Sequence, residues 1–233
     1  MSKLLRYEAK RLIRSKSFWI SLFAAVIFAI QSWWYRWEIF TPDFVEEQCD
    51  VLGRGSDVCL ICVLFASVFF ASEFSQGTIK NVISKGYTKA QVYLSKFLLC
   101  CVAVIAISLV VTALNISVAC YLGLLTCGFW ICHCFVRLLL FLALTSLATF
   151  ITMTIQNVTA AVIVNLVHFY VLPDLLSILV SERVSGYMLP PVSGSFDGRS
   201  PPEALLRPMV VCILWIVVTL AGGLAIFKRR DVC

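Results

Sequence analysis

The sequence contains little charge. Of its 233 residues, 14% are Asp, Glu, Lys or Arg and 61% are hydrophobic. A water-soluble domain has about 25% charged residues and a nearly even share of apolar ones. The composition therefore excludes a soluble globular domain and indicates an integral membrane protein.

Motifs for ATP binding and for hydrolysis are missing from the sequence. There is no G-x-x-x-x-G-K-[ST] phosphate loop, so the chain does not bind ATP by that route. The two histidines, His133 and His168, have no carboxylate near them in sequence, and Glu46-Glu47 lacks partner histidines at membrane depth. We expect no catalytic residue and no cofactor bound by the chain itself.

The eleven cysteines are an odd number, which argues against a complete disulfide framework. Most of them lie in apolar stretches, where a thiol behaves as a small hydrophobic group. Cys59-x-x-Cys62 lacks a second ligand pair, and the neighbours Cys132, His133 and Cys134 point in different directions on a helix. We expect packing roles for them and no metal site.

Apolar stretches of membrane-spanning length recur along the chain, since one crossing needs about 20 residues. They predict an all-α integral membrane protein, with residues 1–233 forming a single transmembrane domain. Six transmembrane helices are expected: Phe18–Tyr35, Val58–Phe74, Phe97–Cys120, Phe135–Ile155, Val158–Leu179 and Met209–Phe227. Only Gln156 and Asn157 join the fourth span to the fifth, which predicts a tight helical hairpin.

The basic residues are distributed unevenly between the connecting segments. Most of the nineteen Lys and Arg residues lie before the first span, between the second and third spans, and after the sixth. Because basic segments stay in the cytoplasm, we expect both termini to be cytoplasmic. Residues 176–204 then form an extracytoplasmic loop; its stretch Ser181–Pro202 either gates an exit or is a plain connector, and we favour the connector.

Residues 1–16 predict a cytoplasmic amphipathic helix. Its two faces are a basic one with Lys3, Arg6, Lys10 and Arg14, and an apolar one with Leu5, Ala9 and Leu12. A helix of this kind suits the inner leaflet, where anionic lipids attract it. Positive charge without a specific task explains the pattern equally well.

A few polar residues fall inside the predicted spans, where their burial is costly. Asn165 and His168 share one face of the fifth span, which either lines a substrate path or joins helices; we slightly favour the second. Arg137 and Asp174 are expected at similar depth and predict an ion pair. No carboxylate lies at mid-span, so ion-coupled transport has no support.

The segment 75–89, between the second and third spans, predicts a short helix lying across the cytoplasmic membrane face. Gly77 and Thr78 precede a helical stretch, Thr78–Lys85, whose apolar stripe consists of Ile79, Val82 and Ile83. Gly86 suits the left-handed position after a helix, and Thr88 with Gln91 matches a capping box. Defined ends and an apolar stripe favour a docking helix for a cytoplasmic partner over a generic basic loop.

The stretch "FASEFSQGTIKNVISKGYTKAQVYLSK" resembles the signature of type-2 export permeases of ATP-binding-cassette (ABC) transporters. The matching positions are Glu73, Gly77, Thr78, Gly86, Thr88, Lys89 and Lys96. Lys89 stands where many members have Arg. The N-terminal amphipathic helix, the six spans and the cytoplasmic ends agree with the same family.

The resemblance implies that two separate ATPase subunits bind ATP and Mg²⁺ and grip the helix around Thr78–Lys85. The residues expected to couple the permease to these subunits are Glu73, Gly77, Thr78, Ile79, Lys80, Val82, Ile83, Lys85 and Gly86. A second permease subunit, identical or related, is expected to complete the membrane domain. No nucleic acid is expected as a partner.

The same resemblance implies an ATP-driven exporter in the plasma membrane of a bacterium. Its substrate would be hydrophobic or amphipathic, for example an antimicrobial peptide, and would leave the cell or the membrane. The alternative is a non-transporting immunity or sensor protein that binds a peptide or protein partner. The residues do not distinguish between substrates, or between an identical and a related permease partner.

Overall fold

The computed structural model describes residues 2–37, 56–75, 78–121, 130–155, 157–179 and 205–229. All regular secondary structure in these ranges is helical, which confirms the predicted all-α class. In chain order the helices are α1 (Ser2–Arg14), α2 (Lys16–Trp37), α3 (Ser56–Ser75), α4 (Thr78–Ile83), α5 (Lys89–Tyr121), α6 (Trp130–Ile155), α7 (Val158–Leu179) and α8 (Leu206–Arg229).

A sharp bend separates α1 from α2. The two helices meet at Ser15 and differ in direction by 57°. The Trp19 indole donates a 2.7 Å hydrogen bond from Nε1 to the carbonyl oxygen of Ile13, one of the carbonyls that the end of α1 leaves without a helical partner. The hydroxyls of Ser15 and Ser17 lie 2.6 Å apart across the bend. These contacts fix α1 at an angle to the apolar helix that follows it.

The connection between α6 and α7 is the tight hairpin that the sequence predicts. Helix α6 ends at Ile155 and α7 begins at Val158. The Asn157 side-chain Oδ1 accepts hydrogen bonds from the backbone N–H groups of Thr159 and Ala160, at 3.0 and 3.3 Å. An asparagine in this position satisfies the first free N–H groups of a helix, so α7 starts immediately after the turn.

Most of the buried apolar residues form one large core around α3. This helix contacts α2, α5, α6 and α7, while α6 packs along α8. Its inward positions carry small or aromatic side chains, among them Cys62, Phe65, Ala66 and Phe69. The alternation of small and large residues allows neighbouring helices to approach closely at some levels and to interlock at others.

A smaller core closes one end of the bundle, and we call this end the α4 end. Its buried residues come from six helices and are Leu4 of α1, Phe70 of α3, Ile79 and Val82 of α4, Val92 and Tyr93 of α5, Met153 of α6 and Phe227 of α8. The start of α1, helix α4 and the last turns of α8 therefore lie at the same end of the molecule.

Three of the described helices are long and apolar enough to cross a membrane. These candidate spans are Lys89–Ser117, Cys134–Ile155 and Leu206–Arg229, and a fourth arises if the bent pair Leu4–Arg14 and Lys16–Gln31 forms one span. Val58–Ser72 and Val158–Leu172 are shorter apolar helices. The chain is thus membrane-embedded, with three to four candidate spans by length and composition in the described residues.

Candidate functional site

Helix α4 ends two residues before the predicted Lys85, and a turn with Gly86 follows it. It comprises six residues, Thr78–Ile83. The N–H of Lys85 donates to the carbonyl of Val82 at 3.2 Å, and the N–H of Gly86 donates to that of Ile83 at 2.9 Å. Gly86 has φ of +87°, a conformation that residues with a Cβ rarely adopt. The predicted left-handed glycine after the helix is confirmed.

The predicted capping box at the start of α5 is also present. The Thr88 N–H donates to Oε1 of Gln91 at 3.1 Å, and the Gln91 N–H donates to Oγ1 of Thr88 at 3.3 Å. These reciprocal bonds satisfy two backbone donors that the first turn of α5 leaves free. The chain therefore passes from α4 into α5 through a turn whose two ends are both fixed by hydrogen bonds.

The apolar stripe of α4 packs against the chain itself. Ile79 is 2% exposed and Val82 is 7% exposed, and both belong to the core at the α4 end, to which α3 and α5 also contribute. Ile83 packs partly against the same core. The sequence pattern favours a cytoplasmic partner for this stripe, but in the structure Ile79 and Val82 are covered by helices of the same chain.

Among the described side chains of α4 and the turn after it, none of the fully exposed ones is apolar. Asn81, Ser84, Lys85 and Gly86 are exposed along the edge of α4 and the turn after it, and we call these four residues the α4 edge. For the predicted coupling residues Glu73, Thr78 and Lys80 only the backbone is described, at the end of α3 and within α4. Gly77 lies outside the described residues.

An ion pair that the sequence analysis did not predict joins α1 to α5. Nζ of Lys96 donates to Oε1 of Glu8 at 3.1 Å, and the side chains are 2% and 0% exposed. Glu8 lies one turn from Leu4 and one turn from Leu12, both of which are buried. The sequence signal that could have revealed this pair is Glu8 itself, an acidic residue on the apolar face of an otherwise basic amphipathic helix.

Tyr93 of α5 is the largest fully buried side chain at the α4 end. Its ring centroid lies 6.0 Å from that of Phe70, 6.5 Å from that of Phe97 and 6.1 Å from that of Phe227. The hydroxyl points at the backbone of Gly223 in α8, where a Cβ would overlap it. Glycine at position 223 thus permits the close approach of α8 to α5.

Polar residues within the apolar helices form contacts between helices. The Asn165 amide on α7 is buried and donates from Nδ2 to the Ser67 hydroxyl of α3 at 2.9 Å. The hydroxyls of Ser146 on α6 and Thr219 on α8 lie 2.5 Å apart. His168, one turn after Asn165, is half-buried. A substrate path along Asn165 and His168 stays a prediction.

Two further expectations concern charged and metal-binding residues. The ion pair between Arg137 and Asp174 lies outside the described side chains, because only the backbone of Asp174 is described; Arg137 is half-buried on α6. Among the residues that the structure describes, no three His, Cys, Asp or Glu side chains come together as ligands for a metal ion.

Comparison with known protein families gives a match. Residues 4–190 match the family described as ABC-2 family transporter protein, a range that includes α1 from Leu4 onward, α4 and the Glu8–Lys96 pair. A comparison with curated proteins finds no match. Since the family match covers most of the 233 residues, the chain belongs to the ABC-2 transporter family.

Proposed function

We propose that this chain is the permease subunit of an ATP-driven exporter that moves a hydrophobic or amphipathic substrate, for example a peptide, out of the cell or the membrane. Its family makes it a membrane transport component that associates with ABC ATPases in general. The observation that carries the proposal is helix α4, a short capped helix that joins α3 to α5 and is packed against both.

The proposed energy source is a pair of separate ATPase subunits that bind ATP and Mg²⁺. The absence of a phosphate loop in the sequence supports this division of roles. A second permease subunit, identical or related, is proposed to complete the path. Both termini are proposed to be cytoplasmic, after six crossings of a bacterial plasma membrane. The meeting of α1, α4 and the end of α8 at the α4 end supports an even number of crossings.

The packing of α4 suggests how a push from outside would reach the membrane helices. Because Ile79 and Val82 are buried against the helices of the α4 end, α4 cannot shift far without opening that core. A partner that binds the α4 edge would therefore displace the end of α3 and the start of α5 together. In this proposal the apolar stripe transmits the force and the polar α4 edge receives it.

The experiment that tests this proposal measures ATPase binding to an altered α4 edge. The purified permease is mixed in lipid nanodiscs with a candidate ABC ATPase from the same organism, and the affinity is measured for the parent chain, Lys85→Glu and Lys228→Glu. Both lysines are exposed, and Lys228 lies at the end of α8, so it provides the matched control. We expect Lys85→Glu to weaken binding by at least about tenfold, because a reversed charge at an interface places like charges opposite each other, which costs on the order of several kcal/mol.

Two outcomes would contradict the proposal. Equal losses in Lys85→Glu and Lys228→Glu would show that only the overall charge matters and that α4 is not the contact. A parent chain that binds no ATPase, yet still binds a peptide or protein partner, would favour the non-transporting immunity or sensor protein. The parent chain and Lys228→Glu should also support ATP-dependent uptake of substrate into inverted vesicles, and Lys85→Glu should not.

A further inference from the structure

The Glu8–Lys96 ion pair is unusual because it is buried between two helices that are distant in sequence. Eighty-eight residues separate the partners, and the 3.1 Å contact is shielded from solvent on both sides. The pair lies on the apolar face of α1, where the buried residues Leu4 and Leu12 stand one turn before and one turn after Glu8.

Stability alone does not account for the pair. Transfer of two charges out of water is costly, and the attraction between them compensates only when the remaining donor and acceptor atoms also find partners. The second carboxylate oxygen of Glu8, Oε2, is buried and has no hydrogen-bond partner in the described part of the chain. Two apolar side chains of similar volume would hold α1 on α5 at least as firmly.

What the pair adds over an apolar contact is a fixed position. Apolar side chains on two helices permit sliding and rotation at modest cost, since one apolar neighbour replaces another. If α1 slid along α5 by one turn, about 5.4 Å, the contact between Glu8 and Lys96 would break while both charged groups stayed away from water. The ion pair therefore gives α1 a single register on α5.

That register connects α1 to the proposed coupling helix. Lys96 lies less than one turn after Tyr93, which packs with Ile79 and Val82 of α4, and Leu4 of α1 belongs to the same core. Helix α1 leads through the 57° bend into α2. A displacement of α4 would therefore be carried through the start of α5 to α1 and on to α2.

We propose that Glu8 and Lys96 are positioning residues that fasten α1 to α5, so that α1, α4 and the start of α5 move as one body when an ATPase acts on α4. The inference rests on the proposed function for its moving force, and it extends that function to the first membrane helix. Neither side chain is proposed to touch substrate or nucleotide.

The surroundings of the pair make the two single substitutions unequal. Arg11 of α1 lies close enough to Lys96 for their positive charges to repel, and it is three residues from Glu8 on the same helix. Glu8→Gln removes the carboxylate that Lys96 contacts and leaves the positive charge of Arg11 nearby. Lys96→Met leaves Glu8 with Arg11 as a nearby cation. Glu8→Gln should therefore loosen α1 more than Lys96→Met does.

The first experiment measures hydrogen–deuterium exchange of α1 in the full-length permease in nanodiscs, and it needs no ATPase. We expect α1 amides to exchange at least about tenfold faster in Glu8→Gln and less so in Lys96→Met, because local opening follows the loss of a buried partner. Lys10→Met is the matched control, since Lys10 is exposed on the same helix. Unchanged exchange in both single variants would overturn the proposal.

The second experiment separates position from stability, using the permease with its ATPase. The double variant Glu8→Met/Lys96→Met should melt at or above the temperature of the parent, yet transport less substrate per ATP hydrolysed by at least about tenfold. The exchanged pair, Glu8→Lys/Lys96→Glu, should restore transport. A double Met variant that melts and transports like the parent would overturn the proposal. Failure of the parent to bind an ATPase would contradict the proposed function, while the exchange measurement would still test the ion pair.

Discussion

Replacement of Gly223 by alanine tests whether the close contact between α8 and α5 determines the packing of the α4 end. A Cβ at this position would overlap the Tyr93 hydroxyl, and it would lie 2.9 Å from Cζ and 3.5 Å from Cε2 of the same ring. The ring has little room to move, because Phe70, Phe97 and Phe227 surround it. Alanine at position 223 must therefore push α8 away from α5.

The expected magnitude follows from two opposing effects. Forcing an extra methyl group into a packed core costs about 1–3 kcal/mol. Replacement of glycine by alanine within a helix stabilises the folded state by about 0.5–1 kcal/mol. The net loss for Gly223→Ala is then about 1 kcal/mol, within a range of about 0–2.5 kcal/mol, and each kcal/mol lowers the melting temperature of a chain of this size by about 2–4 °C.

Gly222 provides the matched control. A Cβ there would lie 3.0 Å from Cε2 of Phe150, the edge of a half-buried ring that can tilt away. Gly222→Ala makes the same chemical change one residue earlier in α8, with the same gain in helix propensity. Its effect on the melting temperature should be close to zero, because the small clash and the gain offset each other.

The assay is thermal unfolding of the nanodisc-embedded chain, with Tyr93→Phe as the second half of a double-mutant cycle. Removal of the hydroxyl from Tyr93 should recover at least half of the loss in Gly223→Ala, since the hydroxyl is the atom that overlaps most. Equal melting temperatures for Gly222→Ala and Gly223→Ala, or no recovery in the double variant, would refute the reasoning.

Two other predictions concern the turn after α4 and the polar face of α7. Gly86→Ala should destabilise the α4 turn by about 1 kcal/mol through backbone strain alone, because φ is +87° and nothing lies within 4 Å of a Cβ there. Gly86→Asn should cost less, and equal melting temperatures for the two variants would contradict this account. Asn165→Leu removes the bond to Ser67 and should lower the melting temperature, whereas His168→Leu should alter efflux with little effect on melting if His168 lines the proposed path. If neither variant reduces efflux, α7 does not line that path.

Local features of the fold were predictable from sequence because their causes are local. Gly86 after a short helix, Thr88 and Gln91 three residues apart, and Asn157 between two apolar stretches each depend on hydrogen bonds within a few residues. The all-helical class follows from the length of the apolar stretches. Neighbouring residues contain all the information that these features require.

The candidate site was predictable only in part. The stripe of Ile79 and Val82 was identified correctly as an apolar face, but amphipathicity does not specify which surface covers it. In this protein the surface belongs to α3, α5 and the other helices of the α4 end, so the accessible part is the polar α4 edge. Whether an apolar stripe faces a partner or its own chain depends on which other helices end close to it in the bundle. The periodicity of apolar residues along the sequence carries no information about that.

Composition and sequence motifs were enough to identify a helical membrane protein of the ABC-2 family with a short helix between two apolar ones. Hydrophobic length, caps and family motif are all properties of short stretches or of composition. Two contacts became visible only in the three-dimensional structure: the ion pair between Glu8 and Lys96, which are 88 residues apart, and the close approach of the Tyr93 hydroxyl to Gly223. Those contacts depend on how whole helices are positioned in the bundle, and that position is set by the packing of all their side chains together.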